Sequence, residues 1–383
     1  MKLIRMPRDK GTDMNCFYET EQTQFFLTPG DIPNQGILFV DHQKQNRGGH
    51  FGHALVEYAD GKILDFYPNC NTDNGGHSGR GWMEWKRSED GGETWSEGKA
   101  FPYSKNLYDL NIGITSINEK AVLTDDGQVL LFNLLCDVSE NALWEPYLAP
   151  TYLMSSDGGE TWGEPRRFTR LHGRVYDAVK REGTIYILFC ACYNENPEDN
   201  GFRLFCSEDN GARFYERSRL PFLPDRFYGS LEWLPTGELI AYTYTEANEY
   251  CIEYAVSENQ GKVWSPVQTT FFAKRIRNPQ IVRFCDAYFA FGRSGHFGEN
   301  PGNLVLYCSQ DGLRWDEGRY LAVRTAGHGA YSNALVTGLL NPAKKPRMLY
   351  QASHAYYLHQ TNVLHWWIDA KKKGEDSIYA GNG

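Results

Sequence analysis

Five versions of one short box recur along the chain at nearly even spacing, and this periodicity restricts the fold more than any other feature. The fullest copy is Ser155-Ser156-Asp157-Gly158-Gly159-Glu160-Thr161-Trp162. The others begin at Ser88, Ser207, Ser257 and Ser309; each keeps Asp or Asn two residues on, then a Gly, then an aromatic close at Trp95, Phe214, Trp264 or Trp315. Steps between the serines at 155, 207, 257 and 309 are 52, 50 and 52 residues, whereas the first step, from 88 to 155, is 67 and predicts an insertion. A period in this range means one supersecondary unit stacked repeatedly, as in propellers and solenoids. Apolar runs such as Phe202-Arg203-Leu204-Phe205 and Leu304-Val305-Leu306-Tyr307 stand just before the boxes, as strands stand before a turn. In such a turn the Asp side chain bonds nearby backbone N–H groups, the Gly takes a positive φ and the Trp supplies apolar surface. The box is a folding device with no chemistry of its own.

These boxes resemble those of the Asp-box sialidase superfamily, and the likeness spans roughly residues 45 to 370. It implies an all-β, sialidase-like six-bladed β-propeller in one domain over residues 1–383. A strand before residue 40 is expected to pair with the last blade and close the ring, which removes an open edge. The third strand of the second blade is expected near 150–154 after the insertion, a loop over Pro68 to Gly81, and a frayed tail from Lys371 to Gly383. A shorter likeness, over His50 to Tyr67 with His77, is to propeller ulvan lyases and related rhamnosidases.

The bulk numbers exclude several classes. A net charge of −9 argues against nucleic acid as the main partner, so an anionic ligand would need a local basic pocket. No apolar run approaches a membrane span. The first ten residues are broken by charge before an apolar core could form, which is unlike a secretory signal. Nine cysteines, odd in number and without CxxC spacing, read as buried thiols in a reducing compartment, and a cytoplasmic location is expected. No cofactor or metal is expected: the chain has no P-loop, dinucleotide fingerprint or zinc-protease motif. His50 and His53, on an extended segment, point to opposite faces.

In a propeller, residues just before each innermost strand line one mouth of the central funnel. Those positions hold Arg47, His50 and His53; Asn118 and Glu119; His172, Arg174, Tyr176 and Asp177; Phe227 and Tyr228; Arg277 and Asn278; and His328, Tyr331, Ser332 and Asn333. Two blade loops add His77 with Arg80 and Arg293 with His296, so six of the ten histidines converge on this set.

The segment Gly329 to Val336 is similar to the strand that carries the sialidase tyrosine nucleophile, and the resemblance gives Tyr331 that role. Tyr228 and Gln351 stand where the family has glutamates, and the first arginine motif is replaced by His50-Phe51-Gly52-His53. Arg47, Arg80, Arg174, Arg277 and Arg293 are then candidates for a differently placed anion clamp, since Arg suits bidentate carboxylate binding. His53, His172, His296, His328 and Gln351 would contact substrate, with His77, Glu119 or Asp177 as acid/base. This reading expects an exo-acting glycoside hydrolase on an acidic or unusual sugar within an oligosaccharide or glycoconjugate. Two alternatives stand beside it. One is a polysaccharide lyase with His50 or His77 as base and Tyr331 or Tyr228 as acid; the other is a glycan-binding propeller without catalysis.

Overall fold

The second and third strands of several sheets are apolar on both faces. Val129–Asp137, Thr184–Ala191, Ala287–Ser294 and Asn303–Ser309 are buried almost without alternation. Antiparallel strands of that kind must lie in sheets covered on both sides. A ring of stacked sheets supplies the cover, and the hydrophobic clusters accordingly span neighbouring sheets. The computed structural model describes residues 4–5, 16–49, 51–71, 79–139, 146–294, 303–323, 331–358 and 360–374. It is a six-bladed β-propeller.

Blade I comprises Ala54–Ala59, Lys62–Cys70, Gly81–Ser88 and Lys99–Ala100, written from the inner strand outward. Blade II has Ile114–Leu123, Val129–Asp137 and Thr151–Ser155; blade III has Gly173–Arg181, Thr184–Ala191, Gly201–Ser207 and Tyr215–Arg219. Blade IV has Phe227–Trp233, Leu239–Tyr244, Cys251–Ser257 and Gln268–Phe271, and blade V has Arg277–Phe284, Ala287–Ser294, Asn303–Ser309 and Arg319–Ala322. Blade VI begins with Ser332–Thr337, Arg347–Tyr357 and Gln360–Lys372. Its outer positions are filled from the other end of the chain: Thr23–Thr28 pairs with Trp367 to Lys372, and Ile37–Val40 pairs with Val363 to His365.

The repeated boxes follow the third strand of blades I to V. In the first, Ser88 Oγ accepts from the backbone N–H of Gly92 at 2.8 Å, and Asp90 accepts from Thr94 N at 2.9 Å. Trp95 Nε1 donates to the Gly92 carbonyl at 3.1 Å. The same bonds recur from Ser155 to Trp162. Each closing ring then reaches the preceding blade: Trp162 meets Phe66, Phe214 meets Phe132 and Trp315 stacks on Phe272. Burying such a ring stabilises by about 1.5–3 kcal/mol. Blade VI lacks a box for a topological reason: its next strands come from the N-terminal segment, so there is no third-to-fourth connection to turn.

Three sequence expectations change. The strand Lys62–Cys70 runs further into the expected Pro68–Gly81 loop, because Cys70 pairs with Gly81. The longer first step holds an α-helix, Pro102–Leu110, started by Pro at its first turn and ended at Asn111 in the left-handed region. Lys371 is paired with Gln24 rather than frayed.

One irregularity positions everything that follows. Four inner strands carry a β-bulge at the same end, at Glu119, Tyr176, Tyr228 and the Asn278-Pro279 pair. A bulge leaves a residue out of the ladder and re-aims its side chain. Here it turns four side chains toward a common hollow on the axis.

A tyrosine and arginine cluster at the mouth of the propeller

The hollow is lined by Gly52 and His53 ahead of blade I, Glu119 and Lys120 of blade II, Arg174 and Tyr176 of blade III, Tyr228 of blade IV, Asn278 and Gln280 of blade V, and Tyr331 to Asn333 of blade VI. Its volume is about 20 Å³, room for a single water.

A continuous set of hydrogen bonds crosses it. The Tyr228 and Tyr331 hydroxyls are 2.6 Å apart, with their rings stacked at 5.5 Å between centroids. Arg174 Nη1 donates to the Tyr228 hydroxyl at 3.1 Å, and its guanidinium lies 4.9 Å from the centroids of both rings. Its Nε and Nη2 both donate to Glu119 Oε2, at 3.0 and 2.9 Å. The chain Glu119, Arg174, Tyr228, Tyr331 thus draws one side chain from each of four blades. Burial pushes the Glu119 carboxyl up, against the pull of Arg174. It likewise pushes the Tyr228 phenol well up, and Tyr331 beside it adds to the rise. Glu119 Oε1 has no hydrogen-bond partner among the described residues and lies over Gly52, where a Cβ would approach it to 2.9 Å. The chain therefore passes closely there only as glycine.

Beneath the tyrosines lies a second polar knot. Lys120 Nζ reaches Gln280 at 2.5 Å, Asn333 at 2.7 Å and Asp177 at 3.1 Å. Asp177 also accepts from the backbone of Leu231 at 2.8 Å and of Ala178 at 2.9 Å. Both of its oxygens are therefore engaged in tying inner strands together, which corrects its expected acid/base role. Lys120 and Gln280 escaped the sequence reading; their signal was the position just past each bulge.

Other expected residues are placed elsewhere. His53 is 1 % exposed, with one ring nitrogen 2.8 Å from Ser353 Oγ and the other 3.0 Å from Gln351 Nε2. Burial lowers its pKa to about 3, so it is neutral. Gln351 is fully buried and bonds His53, His365 and the Phe66 carbonyl. Gln351 is a correction, since its polar atoms are used between blades; His53 borders the hollow while its ring nitrogens bond into the same buried set. Arg47 is held by Asn69 at 2.6 Å and lies over Trp82, on the outer part of blade I. Arg80 donates to the Val138 carbonyl at 2.9 Å. His172 is half-buried ahead of blade III, its backbone tied to Asn194. Arg277 is buried against Tyr244 and paired with Glu246 and with Glu249 at 3.5 Å; Arg293 is its cross-strand neighbour. His50, His77, His296 and His328 lie outside the described residues. No group of metal-ligating side chains occurs among the described residues.

No family model and no curated protein matches this chain by sequence. Solved structures do. A protein of unknown function from Dyadobacter fermentans superposes with a TM-score of 0.65 at 15% identity, covering 85% of this chain and 96% of that one. The NanB sialidase of Streptococcus pneumoniae gives 0.62 at 12% identity, with 87% and 70% covered. This chain has the sialidase-like propeller fold. An α-L-arabinanase from Penicillium chrysogenum, solved with arabinobiose, also superposes, at 0.53 and 14% identity over 85% and 96% of the two chains. Likeness at 12 to 15% identity shows the fold. Function on such a scaffold is argued from the site.

Proposed function

We propose that this sialidase-like propeller is an exo-acting glycoside hydrolase whose reaction takes place at the tyrosine and arginine cluster. The observation that carries the reading is the short Tyr228–Tyr331 hydrogen bond with Arg174 beside both rings. A phenol needs a neighbouring group to take its proton before it can act as a nucleophile. In the first step the Tyr331 oxygen bonds the anomeric carbon as the bond to the leaving oxygen breaks. Its proton passes to the Tyr228 oxygen while the Tyr228 proton goes to solvent, and Arg174 favours negative charge on that phenol. The proton for the leaving oxygen is assigned to the Glu119 carboxyl, which burial pushes up against the pull of Arg174. Water then attacks the glycosyl-tyrosine, gives one proton to Glu119, and releases the Tyr331 oxygen, which regains a proton through Tyr228.

The sialidase and arabinanase neighbours support a glycosidic substrate. An anion clamp receives less support, since Arg174 is already matched by Glu119 and Arg277 by Glu246 and Glu249. The test is a screen of aryl glycosides and oligosaccharides with the wild type and Tyr331→Phe. Release of reducing sugar by the wild type alone is expected. A product with near-ultraviolet absorbance and no hydrolysis would replace the hydrolase with a lyase.

A further inference from the structure

Two side chains at the mouth keep open hydrogen-bonding atoms where packing is tightest. Asn278 is 4 % exposed, yet among the described residues neither its Oδ1 nor its Nδ2 has a hydrogen-bond partner. Its backbone is held at φ 52°, in the left-handed region that non-glycine residues seldom occupy. Glu119 Oε1 is the second open atom. Buried polar atoms are nearly always bonded, so such exceptions call for a physical reason. Backbone strain gathers where a ligand is held. Both residues line the same hollow, which has space for one hydroxyl-sized group and not for a sugar ring.

The charges at this point are already matched. Arg174 is paired with Glu119 and Lys120 with Asp177. A carboxylate entering here would meet the acceptor Asn278 Oδ1 and, with Glu119 ionised in its pair with Arg174, the acceptor Glu119 Oε1 beside the open donor Asn278 Nδ2. A hydroxyl both donates and accepts, and so fits a carboxamide whose donor and acceptor are both open.

We infer that the mouth takes an uncharged sugar, and that Asn278 is a specificity-determining residue which reads one of its hydroxyls through Nδ2 and Oδ1. The ring lies above the hollow with that hydroxyl directed inward. This deepens the glycosidase reading and rests on it only for where the sugar binds.

Calorimetric titration tests it, with neutral pentoses, hexoses and 6-deoxyhexoses set against N-acetylneuraminic acid and D-glucuronic acid. At least one neutral sugar is expected to bind, and the acids about tenfold more weakly or worse. Asn278→Gly keeps the backbone conformation, so its Tm should not fall, while neutral-sugar affinity drops about ten- to a hundredfold. Asn278→Asp, which loses the donor, should show a similar drop. Tyr331→Phe should keep the neutral-sugar affinity even where turnover disappears, so failure of the hydrolase reading is seen separately. Tighter binding of an acidic sugar, no binding of any neutral one, or wild-type affinity in Asn278→Gly would each overturn the inference.

Discussion

The mouth and the closing seam between blades I and VI are built from similar residues to opposite ends. At the seam a buried series runs from Asp65 through His365 and Gln351 to His53 and Ser353, with contacts of 2.6 to 3.0 Å. Phe39 stacks on His365 at 3.8 Å, so the N-terminal segment is packed into the same knot. Asp65, Gln351, Ser353 and His365 sit on regular ladders, with Gln351 directly opposite His365, and His53 stands just before the first strand of blade I. Burial raises Asp65 and lowers His365, favouring a neutral, structural pair. At the mouth Glu119, Tyr228 and Asn278 sit on bulges instead, and two of them, Tyr228 and Asn278, have φ of 46° and 52°. The same chemical groups lock a seam when held on a ladder, and face a hollow when a bulge aims them there.

The largest effect that could break this contrast is kinetic. Tyr331→Phe should lower turnover about a thousandfold or more while the urea midpoint stays near wild type. Equal loss of turnover and stability would instead make the tyrosine pair a packing device like the seam. Next, Asp65→Ala strips His365 of its carboxyl partner and should cost about 1–3 kcal/mol in denaturant unfolding. Turnover per folded molecule should not change, and a selective kinetic defect would count against a structural seam.

Acid should act on the seam before the mouth. His42 and His53 have values pushed down by burial to about 4 and about 3, against about 6.5 in the unfolded chain. Between those limits the unfolded state binds more protons, so stability is lost as pH falls below about 6.5, on the order of 1 kcal/mol per histidine per pH unit. Urea midpoints at pH 7 and pH 5 give the answer, and equal midpoints would rule this out. Smallest of all, Asp157→Ala removes an exposed box carboxylate and should cost about 1 kcal/mol. Its kinetic constants should match wild type, because the Asp157 carboxylate bonds Ser155 and Thr161 within its own turn.

Much of the scaffold was legible because boxes and strands are local. Ser88 to Trp95 bonds within eight consecutive residues, so its pattern survives in one dimension. The helix Pro102–Leu110 was missed because it lies inside the longer step, where the period gives no guidance. At the site, Glu119, Arg174, Tyr228 and Tyr331 were recognisable from their position before inner strands. His53 occupies the same kind of position, yet its ring is bonded into the seam where it borders the hollow, and Gln351 lies within the second strand of blade VI.

The sequence by itself determined the repeated unit, its turns and the run of strands, because hydrogen-bonding turns and apolar alternation act over a few residues. Tertiary structure alone decided which polar groups face the hollow and which charges are cancelled. A bulge changes a side chain's direction without changing composition, and pairs such as Arg174 with Glu119 join residues far apart in the chain. Whether a buried arginine can hold a substrate anion depends on the carboxylate already beside it, and that neighbour is fixed only when the ring closes.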